Sequence, residues 1–238
     1  MTEVRRLPGL GRALGAVLVF VAGCMTDATE APAPRNVVVI TIDTLRADHV
    51  GRRDDSLTPR IDAFARRGHV FADTVAPMGT TFPSHSSMFT GLYPPRHGVR
   101  SNFDSLPPEA RTLAETLRRR GFATGAFVSF KSMIHRGGLG QGFAAKSAPK
   151  RGHRAKPIRP GEETVDAALA WLVHTEGPFF LWVHLFEPHL PLPLTAYAAE
   201  RLGAYQGTLA DGASVAEVMS MRGTWKDAPD ETAALRAL

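Results

Sequence analysis

The chain has 238 residues, 44% of them hydrophobic and 21% charged, with a formal charge of +5, which is ordinary for a soluble globular protein. Its length leaves room for one large domain or two small ones. A single cysteine rules out an internal disulfide and a thiolate metal cluster, and the nine histidines show no H-x-x-x-H zinc-protease spacing.

In chain order, Arg5, Arg6 and Arg12 precede a short apolar run from Ala13 to Gly23. The run is too short to span a bilayer as a helix, and the basic-then-apolar order marks residues 1–23 as a signal peptide. Val21-Ala22-Gly23-Cys24 resembles the lipobox of bacterial lipoproteins. That resemblance implies that Cys24 becomes the lipidated first residue, with the membrane as a partner and the bacterial cell envelope, periplasmic or extracellular face, as the location. Residues 24–35, with Pro32 and Pro34, read as a tether.

From there strands and helices alternate. Val37-Val38-Val39-Ile40-Thr41-Ile42 is a β-branched run of the kind a strand buried on both faces shows. Thr58-Pro59 opens a helix with Ile61, Phe64 and Ala65 on one side, closed by Gly68. A second helix starts near Thr81, with Pro83 in its first turn and Ser84 able to cap, and stops at Gly91. Pro107-Pro108 starts a third, with Leu113 and Leu117 inward and Gly121 at its end. Phe122 to Val128 is a second strand, Glu162 to His174 a helix carrying Val165, Ala168, Leu169 and Leu172, and Phe179 to Val183 a third strand. Strands separated by helices predict an α/β fold with a parallel sheet and helices on both of its faces.

Six basic residues and no acid lie between Lys146 and Pro160. An anionic surface could use them, but no aromatic is interleaved for base stacking, so the segment reads as a solvated loop and nucleic acid is not an expected partner.

Active residues of a parallel sheet gather beyond the carboxyl ends of its strands. Asp43 directly follows the first strand, and His184 and His189 follow the third, while Thr81 lies on a separate loop at a helix start. Free backbone N–H groups and the helix dipole favour negative charge there, which suits attack on an anionic ester. A strand-end carboxylate beside that hydroxyl is an arrangement a hard divalent cation uses to activate an alkoxide. A turn or cap role is the plainer alternative for Asp43. His97 reads as structural, and His85 and His184 stay open.

Asn36 to Asp48, Thr58-Pro59-Arg60-Ile61-Asp62, Thr81-Phe82-Pro83-Ser84-His85, Thr90 to Gly98 and Phe180 to His189 together resemble the sulfatase branch of the alkaline phosphatase superfamily, over about residues 36–192. The resemblance implies an alkaline-phosphatase/sulfatase-like fold, a small anionic ester as substrate and a divalent metal cation. It implies Asp43 and Thr81 as metal ligands, Thr81 as nucleophile, and His189 as the residue that contacts the substrate or protonates the leaving oxygen. Orthodox sulfatases convert Cys or Ser of a C/S-x-P-x-R motif to formylglycine. Here Thr81 and His85 hold those two positions, and a β-branched secondary alcohol argues against that aldehyde. The Lys-x-His pair of the family aligns with Ser129 and Lys131. T-F-P-x-H looks most like the nucleotide pyrophosphatase/phosphodiesterases, which also place an asparagine as Asn102 is placed here. On that likeness Asn102 steadies the transferred group; the alternative is an asparagine that shapes a loop.

The family's Ser-Asp-His-Gly-type motif, which completes the metal site, is not found after residue 192. The fold is therefore expected to be incomplete in its C-terminal half, with residues 193–238 truncated or irregular and activity of the chain alone doubtful. Three readings stand: the N-terminal portion of a metal-dependent sulfate or phosphate ester hydrolase, finished by a missing segment or a complementing chain; a non-catalytic envelope lipoprotein; or a relative of the phosphoglycerol and phosphoethanolamine transferases.

Overall fold

The computed structural model describes residues 36–51, 58–150 and 158–189. The signal peptide, Cys24, the tether, the middle of the basic segment and residues 193–238 lie outside the described residues. Four parallel strands form one sheet in the order β1-β4-β2-β3: β1 is Asn36–Ile42, β2 Ala123–Val128, β3 Ala145–Ser147 and β4 Phe179–Leu185. The expected parallel α/β sheet is present. Among the described residues, five α-helices accompany it: α1 Pro59–Ala65, α2 Thr81–Thr90, α3 Pro94–His97, α4 Leu113–Arg119 and α5 Gly161–Val173.

The period of two along β4 sorts its side chains to two cores. Phe180 and Trp182 point to one face, where Phe82 and Phe89 of α2, Ala114 and Leu117 of α4, and Phe143 pack with them. Leu181 and Val183 point to the other, against Ala168, Trp171 and Leu172 of α5. Helices therefore cover both faces, as expected. Trp182, Phe180 and Phe89 are at most 3% exposed, and the Phe89 and Trp182 rings stand edge to face at 4.7 Å. Burying an aromatic of that size contributes roughly 4–6 kcal/mol as an upper bound, so this cluster dominates the packing behind the site. The indole N–H of Trp182 is satisfied by donating to Thr41 Oγ1 at 3.1 Å.

Three sequence expectations need correction. β1 is not buried on both faces: Val37 and Val39 pack into the core, but Val38 and Ile40 are 51% and 61% exposed. The physical reason is lateral. β1 is an edge strand of the described sheet, and α5 packs on β2 and β4 without covering it. The third helix begins at Leu113, not at Pro107-Pro108, because Thr112 makes a capping box with Glu115. Leu113 is 37% exposed rather than inward. α1 forms where expected; none of it is buried, and its Phe64 is 72% exposed.

Backbone bonds continue two ladders past the strand ends. Asp43 N–H donates to Leu185 O at 3.0 Å, and Ser129 N–H donates to His184 O at 2.8 Å. Asp43, Ser129 and the Phe186–His189 turn are thereby lined up at the carboxyl edge of the sheet. α2 enters this edge and ends at Gly91, whose φ of 68° suits glycine, with its N–H bonded to Ser87 O at 2.8 Å.

Candidate active site

Thr81 is the first residue of α2, and its side chain meets the end of β1. Its Oγ1 lies 3.3 Å from Asp43 Oδ2 and 3.5 Å from Asp43 Oδ1. Asp43 itself is only 9% exposed. Two residues far apart in sequence, each picked from local signals, are in contact.

The α2 N-terminus offers fewer donors than a generic helix start. Thr80 is the N-cap without a side-chain cap bond, and Ser84 lies inside the helix, its N–H donating to Thr80 O at 3.2 Å. Ser84 therefore does not cap. Pro83 has no N–H, and the Phe82 N–H donates to Asn102 Oδ1 at 2.9 Å. Among the described residues, the Thr81 N–H is the first-turn donor left without a partner. Asn102 thus does shape a loop, by satisfying α2 from outside the helix. The same bond fixes its amide: with the oxygen committed to Phe82, the NH₂ group is what remains to donate into the cleft.

That cleft encloses about 300 Å³. Thr81, Asn102, Ser132, Arg136 and His189 give it polar groups, and Phe82, Phe103, Phe130 and Phe186 give it ring walls. His189 stacks on Phe186 with centroids 4.3 Å apart, and its N–H donates to Phe186 O at 2.8 Å. All three expected catalytic residues, Thr81, Asn102 and His189, therefore line one cavity. Arg136, Phe103 and the Phe130–Phe186 wall carried no sequence signal beyond their residue types.

Two histidines lie beneath the Thr81–Asp43 pair. His85 Nδ1 donates to Thr81 O at 2.8 Å, one helical turn back. His184 belongs to β4 itself rather than following it, and is fully buried. Its ring is 5.3 Å from that of His85, and its Nε2 is 3.8 Å from Asp43 Oδ2, beyond hydrogen-bond reach. Burial is the main cause that lowers both from the ordinary imidazole value, and it holds His184 at about 3, with the neighbouring His85 adding to the shift. Both are neutral at pH 7. His184 Nδ1 and Nε2 and His85 Nε2 are buried without hydrogen-bond partners among the described residues.

His97, expected on a loop, is the last residue of α3, and its ring is held by neighbouring groups. Its Nδ1 accepts from Val99 N–H at 3.1 Å, which leaves Nε2–H facing Ser87 Oγ at 2.9 Å. Ser129, at the position of the family's lysine, is buried with its hydroxyl 2.8 Å from Thr164 Oγ1 of α5, so it does not serve the cleft.

For a divalent cation, the Asp43 carboxylate and the Thr81 hydroxyl are hard oxygen donors in the right class and in contact. They fit two places of a ligand set. Among the described residues, no group of three His, Cys, Asp or Glu side chains is placed to hold a metal ion.

Comparisons with known proteins agree with this fold. The Sulfatase family model matches residues 35–224. Arylsulfatase G of Mus musculus is 34% identical over 48% of this chain and 23% of its own length. Arylsulfatase G of Homo sapiens is 25% identical over 92% of this chain and 52% of its own length. The crystal structure of the phosphonate monoester hydrolase of Agrobacterium radiobacter shares the fold with a TM-score of 0.56 at 21% identity, over 66% of this chain and 42% of that one. The chain spans about half or less of the length of these relatives. The family match over most of the sequence, set on a parallel sheet whose edge brings Asp43 and Thr81 together, shows that this chain belongs to the sulfatase family.

Proposed function

We propose that this chain carries the nucleophile side of a metal-dependent sulfate or phosphate ester hydrolase, and that the remaining metal ligands come from a further segment or a complementing chain. The observation that carries the reading is the contact of Thr81 Oγ1 with the Asp43 carboxylate at 3.3 Å. Thr81 attacks sulfur or phosphorus in line, with its proton directed at Asp43. The Thr81 N–H and the Asn102 NH₂ donate to the charge that develops on the transferred group. His189, which lines the same cleft, gives a proton to the leaving oxygen as its bond to sulfur or phosphorus breaks. Asp43 and Thr81 would hold a divalent cation, which when bound supplies charge neutralisation and acidifies the hydroxyl. The substrate is a small anionic ester, and lipidated Cys24 tethers the protein to the bacterial envelope.

The test is turnover of 4-nitrophenyl sulfate, 4-nitrophenyl phosphate and bis(4-nitrophenyl) phosphate with calcium, magnesium, manganese or zinc, and with chelator. The full chain and its family-length counterpart are both assayed. Chelator-sensitive release that vanishes in Thr81→Ala and Asp43→Asn supports the proposal. Turnover that survives Thr81→Ala refutes it.

A further inference from the structure

We propose that Arg136, braced on the ring of Phe103, is the side chain that recognises the negative charge of the ester at the mouth of the cleft. The inference rests on the hydrolase reading above and assigns it a specificity residue. Arg136 is the one fully charged side chain among the described residues that line the cleft. Its guanidinium carbon sits 5.4 Å from the Phe103 ring centroid, and no carboxylate among the described residues pairs with it. A guanidinium stacked by one face keeps its N–H edge for a planar or tetrahedral oxyanion.

Its placement is built into the backbone. The Ser105 hydroxyl donates to Arg136 O, the Leu106 N–H donates to Gly137 O at 3.0 Å, and the Gly137 N–H donates to Ser132 O at 2.8 Å. Gly138, with φ of 72°, lets the two loops touch: a Cβ there would lie 2.7 Å from Leu106 O. The loop with Asn102 and Phe103 and the loop with Arg136 are therefore one unit, and the bond from Phe82 N–H to Asn102 Oδ1 fastens that unit to the helix of Thr81. A cation delivered this way supplies the cleft with the positive charge that Ser129, turned towards α5, does not.

The experiment measures dissociation constants for inorganic sulfate and for 4-nitrophenyl sulfate, at low and high salt, on the full chain. Arg136→Gln is expected to weaken both by about tenfold or more and to flatten the salt dependence, while the melting temperature without anion stays unchanged because the side chain is exposed. Arg136→Lys recovers part of the affinity, since an ammonium keeps the charge without the stacked fork. Phe103→Leu weakens binding less than Arg136→Gln. Where ester is turned over, Arg136→Gln raises KM and leaves kcat within a few-fold. Sulfate affinity indifferent to Arg136→Gln, or no sulfate binding by the unmodified chain, overturns the proposal. The two readings fail separately: Arg136-dependent binding with no turnover in either the full chain or its family-length counterpart keeps this inference and sinks the hydrolase. Thr81-dependent turnover with unchanged KM in Arg136→Gln does the reverse.

Discussion

Asn102 caps the Phe82 N–H, and the proposed reaction gives its amide a second job that one pair of substitutions separates from the first. Its oxygen accepts the Phe82 N–H at 2.9 Å, and its nitrogen is left facing the cleft. Asn102→Ala removes both. Losing an acceptor at a helix start costs about 1 kcal/mol, which for a domain of this size lowers Tm by about 2–4 °C. Asn102→Asp keeps an acceptor for Phe82 and adds a negative charge at the α2 N-terminus, worth about 0.3–1 kcal/mol in favour of the fold. Its Tm should match or exceed the parent's. Function moves the other way, because a carboxylate then faces the bound anion. At roughly 5 Å and an effective dielectric constant of about 20 the repulsion is about 3 kcal/mol, or about two powers of ten in affinity. The assay pairs thermal unfolding by circular dichroism with titration of inorganic sulfate. Asn102→Ala loses stability and some affinity; Asn102→Asp keeps stability and loses more affinity. An Asp variant that melts as low as the Ala variant refutes the assignment of the oxygen to Phe82.

Two further outcomes follow from the packing. Gly142 has φ of 82°, and a Cβ there would lie 2.2 Å from Glu115 N and 2.7 Å from Ala114 C, so Gly142→Ala should destabilise by about 3 kcal/mol or more in urea unfolding; a loss under about 0.5 kcal/mol contradicts this geometry. His184, held at about 3 in the fold against an ordinary 6.5, binds its proton only in the unfolded chain across that window. Its share of stability is complete above pH 6.5 and is lost as pH falls towards 3, at up to about 1.4 kcal/mol per pH unit. In chelator, His184→Phe should shed that slope, and an unchanged pH profile would show the ring is not buried neutral.

Much of this arrangement is legible from residue patterns, for identifiable reasons. β1, β2 and β4 announce themselves as apolar β-rich runs, and α2 by its Thr-Phe-Pro start and Gly91 stop. Strand-end placement alone singled out Asp43. Other features depend on neighbours that no local window contains. β3 is three residues, Ala145–Ser147, held by pairing with Gly125–Phe127, and Ala-Lys-Ser carries no strand signature. The exposure of Val38 and Ile40 reflects which strands α5 covers, not the composition of β1. The start of α4 was readable in Thr112-x-x-Glu115 but is overshadowed by Pro107-Pro108. The neighbourhood of His85 and His184 needs both the α2 turn and the β4 alternation, and the stacking of Arg136 on Phe103 needs two loops joined by backbone bonds.

The strand order also sets a timetable for synthesis. β4 is the last strand of the described chain and sits between the first and the second, with Asn36 and Phe179 143 residues apart. At about 5–20 residues per second, about 7–30 s pass between the emergence of β1 and that of its only described neighbour. Through that interval Val37–Ile42 is an unpaired, β-prone segment, a natural client for holding chaperones. The Asp43 N–H has no Leu185 carbonyl to bond until β4 arrives, so the end of β1 that meets Thr81 is fixed by the arrival of β4 rather than by the segments that contain the two residues.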